Sequence, residues 1–271
     1  IWVEPEMINE NSECYKKHAN WVIGNPNRTQ SLGRNQMMLD LCNPEVQQYI
    51  IDEMTKVFSS GNISYVKWDM NRIISDRYSQ YLSAKQQGEL FHRYYIGLYH
   101  VLNTLMASFP DILFEGCASG GNRFDLGMLC YFPQIWGSDD TDAHERVQIQ
   151  LGYSYAYPQN AVTAHVSSCP NHQTLRNTEL ESRFNVATFG NLGYEFNLSD
   201  LSITELDAIK EQVKTYKQWR KTLQFGQFYR EKTDIMGTNI SWTIVDQNKK
   251  NAVGFTYRAL TRPNNFFMCY K

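Results

Sequence analysis

The stretch Tyr65-Val66-Lys67-Trp68-Asp69-Met70-Asn71-Arg72 decides the fold, because it places an acid at the end of a strand pattern. Its β-branched and aromatic residues follow a Gly61-Asn62 turn signal, and this pattern predicts a β-strand. In parallel α/β proteins the carboxyl ends of strands carry the chemistry. Lys67 is expected to keep the Asp69 carboxyl ionised by direct attraction. The alternative interpretation is that Asp69 only caps the turn that follows.

The same pattern of a strand followed by polar residues recurs along the chain, at residues 1–7, 112–115, 134–136, 161–166 and 193–197. Strand-then-helix units in sequence predict a parallel α/β barrel of the (β/α)8 type, with an open doubly wound sheet as the alternative. An open sheet would concentrate its polar residues near one switch point, whereas here they follow nearly every strand, so the barrel is favoured. Because eight strands close such a barrel, two are expected to precede Ile1.

Helical spacing of apolar residues and capping signals predict the helices between these strands. Asn43 is a predicted N-cap with Pro44 at the first helical position. Ser202 and Glu205 form a predicted capping box, and the helix that they open has an apolar stripe from Ile203 through Leu206 to Leu223. The other predicted helices cover residues 85–108, 143–155 and 174–187.

The pattern changes after Gly226. Residues 240–244 and 252–257 alternate around a polar turn, which predicts an antiparallel hairpin in a separate all-β piece. A further strand pattern at residues 266–271 ends with the chain. We therefore expect two domains, at residues 1–225 and 226–271, in a fragment of a longer protein.

Composition excludes several classes of function. The formal net charge is -2, so the chain lacks the basic footprint of proteins that bind nucleic acid or anionic membranes. It has no apolar run long enough to predict a transmembrane helix. Aromatic residues make up 14% of the chain and could stack on sugar rings or simply pack the core. The six cysteines, Cys269 among them, show no paired spacing, which favours a reducing, cytoplasmic location.

Two groups of carboxylates at strand ends are candidates for catalysis: Asp69, and the cluster Asp139-Asp140-Asp142. Glycoside hydrolysis requires such a pair, with one carboxylate acting as nucleophile or base and the other as a proton donor. The crowding of three aspartates beside Trp136 favours a protonated acid in the cluster. The alternative is a solvated loop that caps the next helix, and Asp142 could be that cap even if Asp139 is catalytic.

Other chemistries are less well supported by the residues. Calcium-loop spacing is absent from the aspartate cluster, and we predict neither a metal nor an organic cofactor. The glycine-rich run at residues 116–121 lacks the ending of a phosphate-binding loop, so it is either a tight turn or a place where backbone amides approach a ligand. A Cys117 nucleophile paired with His165 is conceivable, although no motif joins them.

Four motifs in order resemble the α-galactosidases of glycoside hydrolase family 36. They are Trp2-Val3-Glu4-Pro5-Glu6-Met7, Lys67-Trp68-Asp69-Met70-Asn71-Arg72, Glu115-Gly116-Cys117-Ala118-Ser119-Gly120-Gly121, and Trp136-x-Ser138-Asp139-Asp140-Thr141-Asp142. The resemblance implies a (β/α)8 barrel followed by a C-terminal β-sandwich, and retaining hydrolysis of terminal α-D-galactosyl groups from melibiose- and raffinose-type sugars. It also implies a homotetramer.

By motif position, the resemblance implies that Asp69 is the nucleophile and Asp139 the acid/base. Lys67 and Arg34 resemble ligands of galactose hydroxyls. The other residues that the resemblance places around the sugar are Trp2, Asn71, Cys117, Gly120 and Trp136. The alternatives are a galactosyltransferase of the raffinose-synthase type, an α-N-acetylgalactosaminidase and, from another class, a catalytically silent galactoside-binding protein.

Overall fold

The chain divides into two units, Ile1–Trp136 and Gly137–Lys271. Each unit contains parallel strands and helices. The computed structural model describes residues 1–231 and 238–260. The strand predicted at residues 266–271 and Cys269 lie outside the described residues. No helix in the described part of the chain has the length and apolarity to cross a membrane.

The first unit is built on parallel strands in the order β1-β4-β5-β6, with Trp2 beside Lys67 and Lys67 beside Glu115. Its strands are β1 (Trp2–Val3), β2 (Met7–Ile8), β3 (Met37–Met38), β4 (Tyr65–Trp68), β5 (Leu113–Gly116) and β6 (Gln134–Trp136). Its helices are α1 (Glu13–Lys17), α2 (Pro44–Ser59), α3 (Leu90–Ser108) and α4 (Leu126–Leu129). Strands β2 and β3 pair separately as an antiparallel ribbon.

Capping and periodicity account for the two long helices of this unit. The Asn43 side chain accepts a hydrogen bond from the Glu45 amide and Pro44 opens α2, as predicted. The predicted stripe of α3 is buried along its whole length. The helix expected from residue 85 begins instead as a 3₁₀ segment, Ala84–Glu89, because Ser83 and Gln86 close a capping box one turn earlier.

A fully buried carboxylate ties the first unit together. Glu6 accepts hydrogen bonds from Trp68 Nε1 at 2.9 Å, from the Tyr94 hydroxyl at 2.5 Å and from both terminal nitrogens of Arg123 at 2.9 and 3.0 Å. Burial by itself would lower the pKa of Arg123, but attraction and hydrogen bonding by Glu6 outweigh burial and raise it. This network joins the segment after β1, strand β4, helix α3 and the loop after β5.

The second unit combines a parallel pair, β7 with β8, and an antiparallel sheet that runs in the order β11-β10-β9 within the described residues. The strands are β7 (Val162–Ser167), β8 (Asn191–Glu195), β9 (Gln227–Arg230), β10 (Asn239–Val245) and β11 (Ala252–Arg258). The helices are α5 (Ala143–Tyr153), α6 (Leu180–Ala187) and α7 (Ile203–Phe225). Trp242 stacks on Phe255 at 4.5 Å in the core between this sheet and α5 and α7.

Most predicted elements of the second unit are confirmed, including the capping box of α7 and the hairpin of β10 and β11. Two expectations were wrong, and one strand was missed. The helix expected from residue 174 begins at Leu180, because residues 171–176 form a hydrogen-bonded turn. The stripe of α7 is not buried at its start, where Ile203 is 80% exposed and Leu206 39%. Strand β9 was not predicted, since its four residues are too short for a clear alternation. The domain boundary at residue 225 stays a prediction.

Replacing Glu6 with glutamine is expected to lower the free energy of unfolding by about 3 to 5 kcal/mol, because Arg123 would remain buried without its counter-ion. Denaturation by urea of the protein that contains this chain measures the change. Glu6→Leu combined with Arg123→Met should recover part of the loss. The matched control is Glu53→Gln, which breaks an exposed pair with Lys56. Equal effects of Glu6→Gln and Glu53→Gln would contradict the structural role of the buried pair.

Candidate active site

Asp69 lies directly after β4, where its position is set by both the backbone and neighbouring side chains. Its amide donates to the Val3 carbonyl at 2.9 Å. One carboxylate oxygen accepts from Trp2 Nε1 at 3.1 Å and from Asn71 Nδ2 at 2.7 Å, and the other accepts from the Met70 amide at 2.8 Å. Capping of the next turn is therefore only part of what this side chain does. The carboxylate is 5% exposed and is held in one orientation.

A second carboxylate, Glu4, lies beside Asp69 and shares a donor with it. Asn71 Nδ2 is 2.5 Å from Glu4 Oε1 while it also donates to Asp69. Glu4 pairs with Arg34 at 3.2 Å and accepts from Gln36 at 3.3 Å. Arg34 is exposed and has a φ of 51°, in the left-handed region that occurs in tight turns. Sequence reasoning quoted Glu4 in a motif but missed its role as the partner of two predicted site residues.

Lys67 lies on the same side of β4 as Asp69, because alternate residues of a strand face the same way. Its ammonium is 3.7 Å from Glu115 Oε1 and 4.8 Å from the centre of the Trp136 ring. The contact with Trp136 is within the range of a cation–π interaction. Two predicted site residues, Lys67 and Trp136, are thus brought together.

Glu115 lies beside Lys67 on the neighbouring strand and was not predicted as a site residue. The Tyr65 hydroxyl donates to it, and Gln134 Nε2 lies 3.2 Å from the same oxygen. Burial, followed by the charge of Glu115, raises the pKa of Tyr65, which therefore remains a hydroxyl donor. Glu115 in β5 lies directly beside Lys67 in β4. The sequence alone could not show this pairing, because it depends on the register between the two strands.

The loop after β5 lies against Asp69 and Asn71. Cys117 exchanges backbone hydrogen bonds with Trp68 and Met70 at 2.9 and 3.1 Å. The Ser119 hydroxyl is 3.3 Å from Asn71 Oδ1. Gly120 has a φ of 81°, a conformation that favours glycine at this turn.

Cys117 is a poor candidate for a nucleophile. Burial, followed by the charge of Asp69, raises its pKa to about 12. The thiolate is the reactive form of cysteine, so this residue is a neutral thiol at physiological pH. Its suggested partner His165 lies in the second unit, where its ring is 3.2 Å from the Glu195 carboxylate.

The aspartate cluster follows β6 and belongs to the second unit. Asp142 is the N-cap of α5: it accepts from the His144 amide at 2.8 Å, from Arg176 at 2.7 Å and from the Thr174 hydroxyl. Burial by itself would raise the pKa of Asp142, but these hydrogen bonds outweigh burial and lower it. The predicted cap is confirmed, and a carboxyl with a lowered pKa is poorly suited to donate a proton.

The two other aspartates of the cluster differ from Asp142. Asp140 accepts from the Asp142 amide at 3.0 Å and so shapes the turn. Asp139 is exposed.

The first unit brings together the remaining predicted site residues around the ends of its strands: Trp2, Arg34, Lys67, Asp69, Asn71, Cys117, Gly120 and Trp136. Among the described residues, no three His, Cys, Asp or Glu side chains cluster in a way that could hold a metal ion.

Comparison with known proteins places this arrangement in context. The melibiase family profile matches residues 1–226. α-Galactosidase AgaA of Geobacillus stearothermophilus is 46% identical over 264 residues, which are 97% of this chain and 36% of AgaA. The crystal structure of an α-galactosidase from Lactobacillus brevis has a TM-score of 0.97 at 45% identity and covers 99% of this chain and 36% of that one. A substituted form of AgaA, solved in complex with raffinose, has a TM-score of 0.95 at 45% identity over 97% of this chain and 37% of that one.

These similarities settle the fold class. The chain spans about a third of the length of the relatives that it matches. Their fold is the (β/α)8 barrel, so the barrel prediction is confirmed and the open doubly wound sheet is excluded. The described residues contain six of its parallel strands, β1, β4, β5 and β6 in the first unit and β7 and β8 in the second, as predicted.

Asp142→Asn is expected to lower the free energy of unfolding by about 1 kcal/mol at pH 6, because asparagine keeps the N-cap but loses the attraction to the partly exposed Arg176. Because the pKa of Asp142 is lowered in the folded protein, its carboxylate stabilises the fold fully above the ordinary aspartate pKa of about 4. This contribution is lost as pH falls through the pKa of the folded state. The difference between the wild type and the variant should therefore shrink below pH 4. Urea denaturation at pH 6, 4 and 3 measures it. A difference that does not change with pH would contradict this assignment.

Proposed function

The chain belongs to the melibiase family, and from this premise we propose that the protein containing it is a retaining α-galactosidase. Its substrates would be oligosaccharides of the melibiose and raffinose type, with a terminal α-D-galactosyl group. The observation that carries the proposal is the Asp69 carboxylate, held at a strand end by Trp2 and Asn71. The raffinose complex of AgaA supports the choice of substrate.

In the proposed first step, a carboxylate oxygen of Asp69 attacks the anomeric carbon of the galactosyl group. The bond from that carbon to the glycosidic oxygen breaks, and Asp139 gives its proton to this oxygen, so that the leaving sugar departs as an alcohol. The product of this step is a covalent β-galactosyl ester of Asp69. Asp139 is now a carboxylate.

In the second step, Asp139 takes a proton from a water molecule, whose oxygen attacks the anomeric carbon from the side that the leaving group vacated. The ester bond breaks, Asp69 becomes a carboxylate again and Asp139 is again protonated. Two inversions give net retention, so the first product is α-galactose. Of the three clustered aspartates, Asp142 suits the acid role least, because Arg176 and Thr174 bind its carboxylate.

The side chains around Asp69 suit recognition of a hydroxylated ring. The Lys67 ammonium and the Arg34 guanidinium would donate to galactose hydroxyls, and both are already paired with carboxylates that limit their motion. Aromatic rings pack well on the apolar faces of a sugar. The remaining residues proposed to line the sugar are Trp2, Asn71, Cys117, Gly120 and Trp136.

We further propose the features of the whole protein that the family implies. Residues 1–225 would belong to the catalytic barrel and residues 226–271 would begin a C-terminal β-sandwich. The protein would act as a homotetramer on free oligosaccharides, with no nucleic-acid or membrane partner. A cytoplasmic location is supported by the described cysteines, all of which are free thiols.

Asp69→Ala in the protein that contains this chain is expected to lower kcat on p-nitrophenyl α-D-galactoside by at least about 10⁴-fold, because the covalent step is lost. Azide should restore part of the turnover and yield β-galactosyl azide, since a single displacement inverts the anomeric centre. The matched control is Asp52→Ala, which removes an exposed acid on α2 and should leave kcat unchanged. Turnover by Asp69→Ala close to that of the wild type, or an α-azide product, would disprove the nucleophile role.

Asp139→Ala is expected to lower kcat/KM for raffinose by about 10² to 10⁴-fold, because the sugar leaving group needs a proton. The value for 2,4-dinitrophenyl α-galactoside should change by less than about tenfold, since this leaving group departs without a proton. Steady-state kinetics on the two substrates give the ratio. Equal losses on both substrates would exclude Asp139 as the acid.

A further inference from the structure

We propose that the turn at residues 171–176, called here the bracing turn, is a positioning element for the acid/base of the reaction. It follows β7 and binds the loop at residues 138–142, which carries Asp139. The inference rests on the proposed function, in which Asp139 protonates the leaving group. It adds Asn171 and Thr141 as the residues through which Asp139 is held in place.

Thr141 makes three hydrogen bonds, one with the last residue of β7 and two with the bracing turn. Asn171 Nδ2 donates to the Thr141 hydroxyl at 3.0 Å, and the Ser167 hydroxyl donates to the Thr141 carbonyl at 3.0 Å. The Thr141 amide donates to Gln173 Oε1 at 3.3 Å. Thr141 and Asn171 are 6% and 5% exposed, so water does not compete freely for these contacts. Asp139 is two residues away along the same loop.

The bracing turn has a rigid internal structure. Asn171 Oδ1 accepts from the amides of Gln173 and Thr174 at 2.9 and 3.0 Å, so that one side chain shapes the turn and also reaches Thr141. The Asn171 amide donates to the Arg176 carbonyl at 3.0 Å. Leu175 lies in the left-handed region with a φ of 58°, although it is 75% exposed and gains little from packing. Such a conformation persists only where the surrounding hydrogen bonds impose it.

The far end of the loop is bound by the same turn. Thr174 and Arg176 both donate to the Asp142 carboxylate, which also caps α5. Two consecutive residues of the loop, Thr141 and Asp142, are therefore anchored close in sequence to the exposed Asp139. A general acid must lie within hydrogen-bond reach of the leaving oxygen, and a shift of about 1 Å can cost about 10²-fold in rate. The anchors would set that distance.

The test compares two substrates that differ in their need for the acid. Thr141→Val removes the partner of Asn171 with little change in volume. In the protein that contains this chain, kcat/KM for raffinose is expected to fall by about 10 to 100-fold, whereas the value for 2,4-dinitrophenyl α-galactoside changes by less than about threefold. Thr141→Ser restores the hydroxyl and should behave as the wild type. Asn171→Ala should shift the ratio in the same direction and by at least as much, because it also removes the acceptor of the Gln173 and Thr174 amides. The double variant should be no worse than Asn171→Ala, since both single variants remove the contact between Asn171 and Thr141.

A matched control separates positioning from general stability. Ser202→Ala removes the N-cap of α7 in the same unit, where the Ser202 side chain bonds with Glu205 of its own helix. It should lower the melting temperature and leave the ratio of the two kcat/KM values unchanged. If Thr141→Val does not fold, Arg176→Gln replaces it, because this side chain is partly exposed and anchors the Asp142 end. Arg176→Gln is expected to shift the ratio in the same direction.

The outcomes distinguish the inference from the function on which it rests. Asp139→Ala should lose more kcat/KM on raffinose than on 2,4-dinitrophenyl α-galactoside. If it does so and the variants of Thr141, Asn171 and Arg176 do not, the bracing turn has no positioning role. Equal losses on both substrates in Thr141→Val or Arg176→Gln would also overturn the inference, since a merely structural role has that signature. If Asp139→Ala itself fails to discriminate between the two substrates, the acid role in the proposed function is wrong.

Discussion

The ion pair between Glu6 and Arg123 is the interaction on which the first unit depends. A buried carboxylate without partners would be strongly destabilising, and here every lone-pair direction of Glu6 receives a donor. The donors come from positions 62, 88 and 117 residues away along the chain. Because Trp68 turns its indole towards Glu6, its neighbours Lys67 and Asp69 face the other side of the strand, where the candidate active site is built.

The candidate active site contains four charged side chains close to one another. Two anions, Glu4 and Asp69, share the Asn71 amide, and two cations, Arg34 and Lys67, each contact a carboxylate. Each of these charged groups is therefore held by at least one hydrogen bond or ion pair, which limits the motion of the side chains before any ligand arrives. Groups that are oriented in advance need little reorganisation when charge develops at the reacting carbon.

The candidate acid is more exposed than the candidate nucleophile. Asp69 is buried, and three donors bind its carboxylate. Asp139 is exposed to solvent and lies in a loop that is anchored at Thr141 and Asp142. The distinction suits their proposed tasks. A nucleophile attacks one carbon along one direction, while an acid/base exchanges protons with both the leaving sugar and water. The hydrogen bonds from the Arg176 guanidinium and the Thr174 hydroxyl lower the pKa of Asp142 and hold this carboxyl in its ionised form.

The sequence by itself determined the features that depend on near neighbours. The strand ending in Asp69, the Asn43 cap, the Ser202 capping box and the hairpin of β10 and β11 are all encoded within a few residues, and the motif order led to the family. Only the tertiary structure decided which side chains meet across long separations: Glu6 with Arg123, Lys67 with Glu115, and Thr141 with Asn171. It also decided that the segment before Leu180 is a turn and that Ile203 is exposed. Local propensity describes what a segment can form, whereas burial and pairing depend on which distant segment packs against it.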